Sequence, residues 1–140
     1  MTPILLKLVF CTAQASGVSP YIVASVIQVE SSWRADAVGG AGEQGLAQLR
    51  PEFFDHVDLF DPEENIRLVV PHMADIKTRC SSLNERAGWK RAWVICHNTG
   101  VTGAHRLKEP ENFGYLQRVR KAYNEYKAKR LFEDKDYSCD

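Results

Sequence analysis

Residues 21–32 read Tyr-Ile-Val-Ala-Ser-Val-Ile-Gln-Val-Glu-Ser-Ser, an apolar run with one carboxylate near its end. Val23, Val26 and Ile27 stand seven, four and three positions before Glu30, spacings that put all four on one helical face. Such a face has to be buried, so the helix carries Glu30 to the edge of a core. Ser19 followed by Pro20 supplies a cap and a first-turn proline to open it. After it, residues 38–45 contain four glycines and read as an irregular loop or a short hairpin. Together they place a carboxylate at the end of a buried helix, next to a turn able to double back on it.

The rest of the pattern is helical almost throughout, which predicts an all-α fold. A first helix ends at Gly17, and Pro51 opens a short one reaching His56. Asp61-Pro62-Glu63-Glu64 repeats the cap-plus-proline signal with acids where a helix dipole favours them. That helix runs toward Cys80, with Pro71 expected to bend or break it. Residues 89–97 read as a short apolar helix, and 98–110 as a loop containing Gly100 and Gly103. Residues 111–130 form a last long helix, with Tyr115, Val119, Tyr123 and Tyr126 at helical spacing. No internal repeat or linker interrupts the chain. One domain over residues 1–130 and a frayed tail over 131–140 are expected.

Eighteen basic side chains balance eighteen acidic ones among 140 residues, so no net field draws the chain to nucleic acid. Acids concentrate between Glu52 and Glu64 and cations between Arg118 and Arg130, which reads as solvated helix faces, or as a basic face suited to an anionic envelope. The apolar start, with Lys7 inside it, is too short to span a bilayer and reads as the first helix. Ala13-Gln14-Ala15 looks like a signal-peptidase site, but no cation precedes the run, so it makes no convincing export signal. The expectation is synthesis in the cytoplasm, no stable membrane insertion and a monomer. Cys11, Cys80, Cys96 and Cys139 show neither a Cys-x-x-Cys pair nor finger-like spacing with histidines. Free thiols are expected, with a Cys80–Cys139 bridge as the alternative, and no metal.

Burial and the negative end of the helix dipole should both raise the pKa of Glu30. A carboxyl kept protonated near neutral pH can donate a proton to a glycosidic oxygen. Most glycosidases pair two carboxylates, and Asp36 and Glu43 are the second candidates here.

The run Glu30-Ser31-Ser32-Trp33, with Ala37, Ala41-Gly42 and Gly45-Leu46-Ala47-Gln48-Leu49, resembles the signature of lytic transglycosylases, which cut peptidoglycan glycan strands. Asp61-Pro62-Glu63-Glu64-Asn65-Ile66 is similar to that family's Asp-Pro-x-x-Asn-Ile, mainly structural there. Cys96-His97-Asn98-Thr99-Gly100 is similar to its Ala-Tyr-Asn-x-Gly, and Glu111-Asn112 with Tyr115 and Val119 to its Glu-Thr-x-x-Tyr-x-x-x-Val helix. The resemblance implies a lysozyme-like fold and cleavage between N-acetylmuramic acid and N-acetylglucosamine without a cofactor. Glu30 would be acid first and base second, and the muramic C6 hydroxyl would close a 1,6-anhydro ring. Gly45, Gln48, His97, Asn98 and Tyr115 are the substrate-site candidates it implies.

Gly39 stands where the family often has a serine supporting the acid. His97 replaces its tyrosine and Ala47 its methionine, and His97 could serve as a replacement donor. Trp33 could stack on sugar, whereas Trp89 and Trp93 read as core. The lack of an export signal suits a phage lysis or virion-associated enzyme acting on the wall. The rivals are a hydrolytic muramidase related to goose-type lysozyme, and a weakly catalytic peptidoglycan-binding or structural virion protein.

Overall fold

The computed structural model describes residues 1–133 and 135–140, and these form an all-α, lysozyme-like fold. Its helices are α1 (Pro3–Ser16), α2 (Pro20–Ser31), α3 (Pro62–Arg79), α4 (Ser82–Ala87), α5 (Ile95–His105) and α6 (Gly114–Ala128). Short 3-10 turns occupy Pro51–Phe53, Ala92–Val94 and Pro110–Asn112. No described helix is long and apolar enough to cross a membrane.

Local chemistry accounts for the ends. The Thr2 hydroxyl accepts from the Leu5 amide, and Gly17 closes α1 at φ 72°, a left-handed value that glycine adopts without a Cβ clash. Asp61 accepts from the Glu63 and Glu64 amides and starts α3. Ser19, expected to cap α2, makes no side-chain cap bond; Pro20 alone marks that start. Pro71 does not end α3. It lies on the solvent side, while buried Val69, Val70 and Met73 hold the opposite face against the core.

α2 is the axis of the core. Every residue from Tyr21 to Ile27 is buried, with α6 packed along it, and α1 packs on α3. Tyr115, Val119, Tyr123 and Tyr126 form the inner face of α6, as their spacing predicts. Part of the basic charge of α6 lies over aromatic rings: Arg120 is 5.4 Å from the Trp89 ring centre and Lys127 is 4.6 Å from that of Tyr21.

Three expectations are corrected. Residues 98–105, read as loop, belong to α5, which is broken only at Gly100 (φ 78°, ψ 164°) and held beyond the break by buried Ala104. The thiols are not free, nor is Cys80 joined to Cys139. Cys11 bonds Cys139, and Cys80 bonds Cys96. Helix packing brings each pair together, and spacing in the chain carries no trace of that. Among the described residues of the tail, several are tied to the core. Phe132 is buried, its amide donates to the Tyr21 hydroxyl, and Tyr137 packs on Phe10 at 5.1 Å.

Candidate active site

Glu30 lies in the last turn of α2 with its side chain 16% exposed, and it lines a cleft of about 740 Å³. Left-handed Ser32 and Trp33 (φ 52° and 64°) turn the chain away and send it into the glycine-rich loop. That loop is held by its own main chain. Gly45 donates to Ala37 O at 2.9 Å, Gly39 to Glu43 O at 2.8 Å, and Gln44 and Leu49 exchange two bonds. The expected hairpin is thus only a pair of isolated bridges, Val38–Gln44 and Gln44–Leu49.

Asn65, fully buried on α3, pins the loop to the helical core. Its oxygen accepts from Ala47 N at 2.9 Å, and its amide donates to Gln44 O and Leu59 O. Gly45 belongs to the same joint. A Cβ there would stand 2.1 Å from Leu59 O and 2.5 Å from Asn65 Nδ2, at φ 80°. Its close approach is therefore to Leu59 and not to the cleft. Gly45→Ala is expected to cost about 3 kcal/mol through this clash and the left-handed backbone. An unchanged thermal midpoint in that variant would contradict the packing described.

Three side chains converge on Glu30 or flank it. Tyr115, buried on α6, donates its hydroxyl to Glu30 Oε2 at 3.1 Å. His97 Nε2 lies 2.8 Å from Ala47 O and 3.5 Å from Glu30 Oε2. A carbonyl only accepts, so Nε2 carries the proton and donates it to Ala47 O. His97 Nδ1 is buried and has no hydrogen-bond partner among the described residues. His72 of α3 lies beside His97, with ring centres 5.8 Å apart, and also lines the cleft.

The electrostatics follow from burial. Desolvation lifts the Glu30 carboxyl from the usual 4.5 to about 7, outweighing the Tyr115 hydrogen bond and the Arg118 charge that favour its ionised form; the negative charge of Glu43 adds to the rise. Burial also pushes the Tyr115 phenol far up, so it remains a donor. His97 and His72 are both lowered, chiefly by desolvation, and stay neutral near pH 7. The site can therefore hold one protonated carboxyl among neutral donors, the state a general acid needs.

Gln48 and Asn98 line the cleft, and Asn98 is exposed there. The Gln48 amide nitrogen is committed to Ala37 O and Gly45 O, at 3.1 and 3.0 Å, and its oxygen lies against Gly39. Ala47 is fully buried, and its carbonyl holds His97. Of the two further carboxylates, Glu43 lines the cleft, whereas Asp36 is exposed outside its lining. None of the tryptophans lines it. Trp93 is core, Trp89 packs on Tyr123, and Trp33 donates to the Tyr126 hydroxyl.

Sequence reasoning missed the cleft's aromatic wall. Phe53, 71% exposed, and Phe54 border it from the 3-10 turn after Arg50. Two adjacent phenylalanines in a polar stretch were the available signal. His72 had none, because nothing in the chain marks which side of α3 meets α5.

No curated protein and no solved structure matches the chain. The transglycosylase SLT domain profile matches residues 7–130, a span that holds Glu30, the pinned glycine loop and the Tyr115 helix, and the chain belongs to that family.

Proposed function

We propose that the protein cleaves the β-1,4 bond between N-acetylmuramic acid and N-acetylglucosamine in peptidoglycan, with Glu30 as general acid and then base. Family membership supports the substrate class and the lytic reaction. The observation that carries the residue assignment is a buried carboxyl with a pKa of about 7, opening into a cleft and held by the Tyr115 hydroxyl.

Glu30 protonates the bridging oxygen as the bond to the muramic anomeric carbon breaks. The resulting carboxylate is stabilised by the hydrogen bond it accepts from the Tyr115 hydroxyl. It then removes the proton of the muramic C6 hydroxyl, whose oxygen closes on the anomeric carbon and leaves a 1,6-anhydro end. Gln48 and Asn98 present polar groups to the sugars, and Phe53 offers a flat apolar face for a ring to stack against. The two disulfides suit work outside the cytoplasm, where thiols oxidise.

The acid step requires protonated Glu30. Turnover is expected to fall about tenfold per pH unit above roughly pH 7, as a basic limb with unit slope. A rate that stays level to pH 9 would remove Glu30 from the acid role.

Mass spectrometry of fragments released from purified sacculi tests the whole reading. Anhydromuropeptides are expected. Binding to sacculi with no soluble fragments would overturn it in favour of a binding protein.

A further inference from the structure

We infer that the chain, while its thiols are still reduced, binds a zinc ion through Cys80, Cys96 and His105, and that the Cys80–Cys96 disulfide later occupies the same place. The inference stands apart from the lytic reading, because it concerns a metal and not the glycan.

Cys80 caps the C-terminal end of α3, Cys96 lies in the first turn of α5, and His105 is the last residue of α5. In a straight helix Cys96 and His105 would stand about 13 Å apart along the axis, at about 1.5 Å per residue. The break at Gly100 (φ 78°, ψ 164°) turns the second half of α5 back, so that both its ends meet Cys80. The two sulfurs and a ring nitrogen of His105 all lie within 4.8 Å of one another. No other three His, Cys, Asp or Glu ligand groups come that close among the described residues. Zinc holds sulfur at about 2.3 Å and imidazole nitrogen at about 2.0 Å, so the ligand atoms of a tetrahedral ion are roughly 3.5–3.8 Å apart. Small side-chain rotations bridge the difference.

His105 is already set to be a ligand. Its Nδ1 lies 2.7 Å from Val101 O, and a carbonyl only accepts, so Nδ1 carries the proton. A carbonyl on the far nitrogen is the support that zinc-binding histidines usually have. In the neutral ring Nε2 keeps its lone pair, which meets the Ser82 hydroxyl at 3.3 Å. Ser82 and His105 are exposed, whereas Cys80 and Cys96 are buried. The site thus opens to solvent on one side, which gives the ion a way in and a water for its fourth position.

On binding, zinc displaces the protons of both thiols, forms two Zn–S bonds and one Zn–N bond, and releases two protons. Oxidation ejects it. The two thiolates give two electrons to a disulfide oxidant, the Cys80–Cys96 bond forms, and the oxidant leaves as a dithiol with two protons from solvent. Zinc departs with its charge unchanged. Either occupant ties the end of α3 to α5, so the cleft wall that carries His97 and Asn98 is held before and after oxidation.

The test reduces the full chain with a phosphine, strips metal with a chelator, and titrates zinc into wild type and His105→Ala. Reduced wild type should take up about one zinc per chain. It should melt about 8 °C higher at about a hundredfold excess of zinc over Kd. Cobalt(II) in place of zinc should give the visible bands and sulfur charge transfer of a tetrahedral thiolate site. His105→Ala should bind at least roughly a hundredfold more weakly, since even the supporting partners of zinc ligands are worth up to that much. With its disulfide intact, the same variant should melt like oxidised wild type, which establishes that it folds. Where reduction alone unfolds the chain, the helical circular dichroism regained on adding zinc reads the same affinity. Zinc held equally by His105→Ala would put the metal elsewhere, for instance on Cys11 and Cys139, and overturns the inference. So does a reduced wild type that gains neither zinc nor stability, or an oxidised one that binds zinc as tightly.

Discussion

Glu30→Gln is expected to lose turnover on peptidoglycan about a thousandfold, the scale on which a positioned general acid contributes, and at the same time to become more stable. The two effects share one cause. Glutamine keeps the shape of the side chain and can still accept from Tyr115, but it has no proton to give. In wild type the folded site holds Glu30 protonated up to about pH 7, whereas the unfolded chain ionises it near 4.5. Between those values unfolding releases a proton, so the group lowers stability as pH rises from 4.5 to 7, and the whole penalty is present above 7. That penalty is at most about 3 kcal/mol at pH 8 and vanishes below pH 4.5. Thermal melting of both proteins at pH 4 and pH 8 checks the sign. A variant less stable than wild type at pH 8 would mean that Glu30 is not a strained acid.

Opening the Cys11–Cys139 bridge should produce the largest loss of stability. The bond spans 128 residues of sequence separation, and a cross-link of that length restricts the unfolded chain by about 5 kcal/mol. The paired Cys11→Ser, Cys139→Ser variant should melt roughly 15 °C lower. Removing Cys80–Cys96, with a separation of 16, should cost about 3 kcal/mol. It should also disturb the site directly, because Cys96 precedes His97 in the cleft wall. Identical melting with and without reductant would show that neither bridge restrains the chain.

What was legible from the chain was what local chemistry decides. The apolar face of residues 21–27 dictates a buried helix, and its period carries Glu30 to the end of that face. Asp61 and Gly17 work as caps because their roles depend only on neighbours within one turn. What stayed hidden depends on distant partners. The cysteine pairs are set by which helices touch. His72 gains its place from the α3–α5 contact. At Gly45 the glycine loop hid a packing role, because the absent side chain makes room for Leu59 O, a partner fourteen residues away in the chain. Residues 98–105 misled because two glycines weaken a helix signal that burial of Ala104 restores.

The bridge between Cys11 and Cys139 also changes what a protease can do to this molecule. It closes nearly the whole chain into a covalent ring, with Cys80–Cys96 as a chord. A single cut inside that ring, for instance beside exposed Phe53, opens it without freeing a fragment. Both pieces stay attached, and the nicked protein, heavier than the intact chain by the water of hydrolysis, separates into them only when it is reduced.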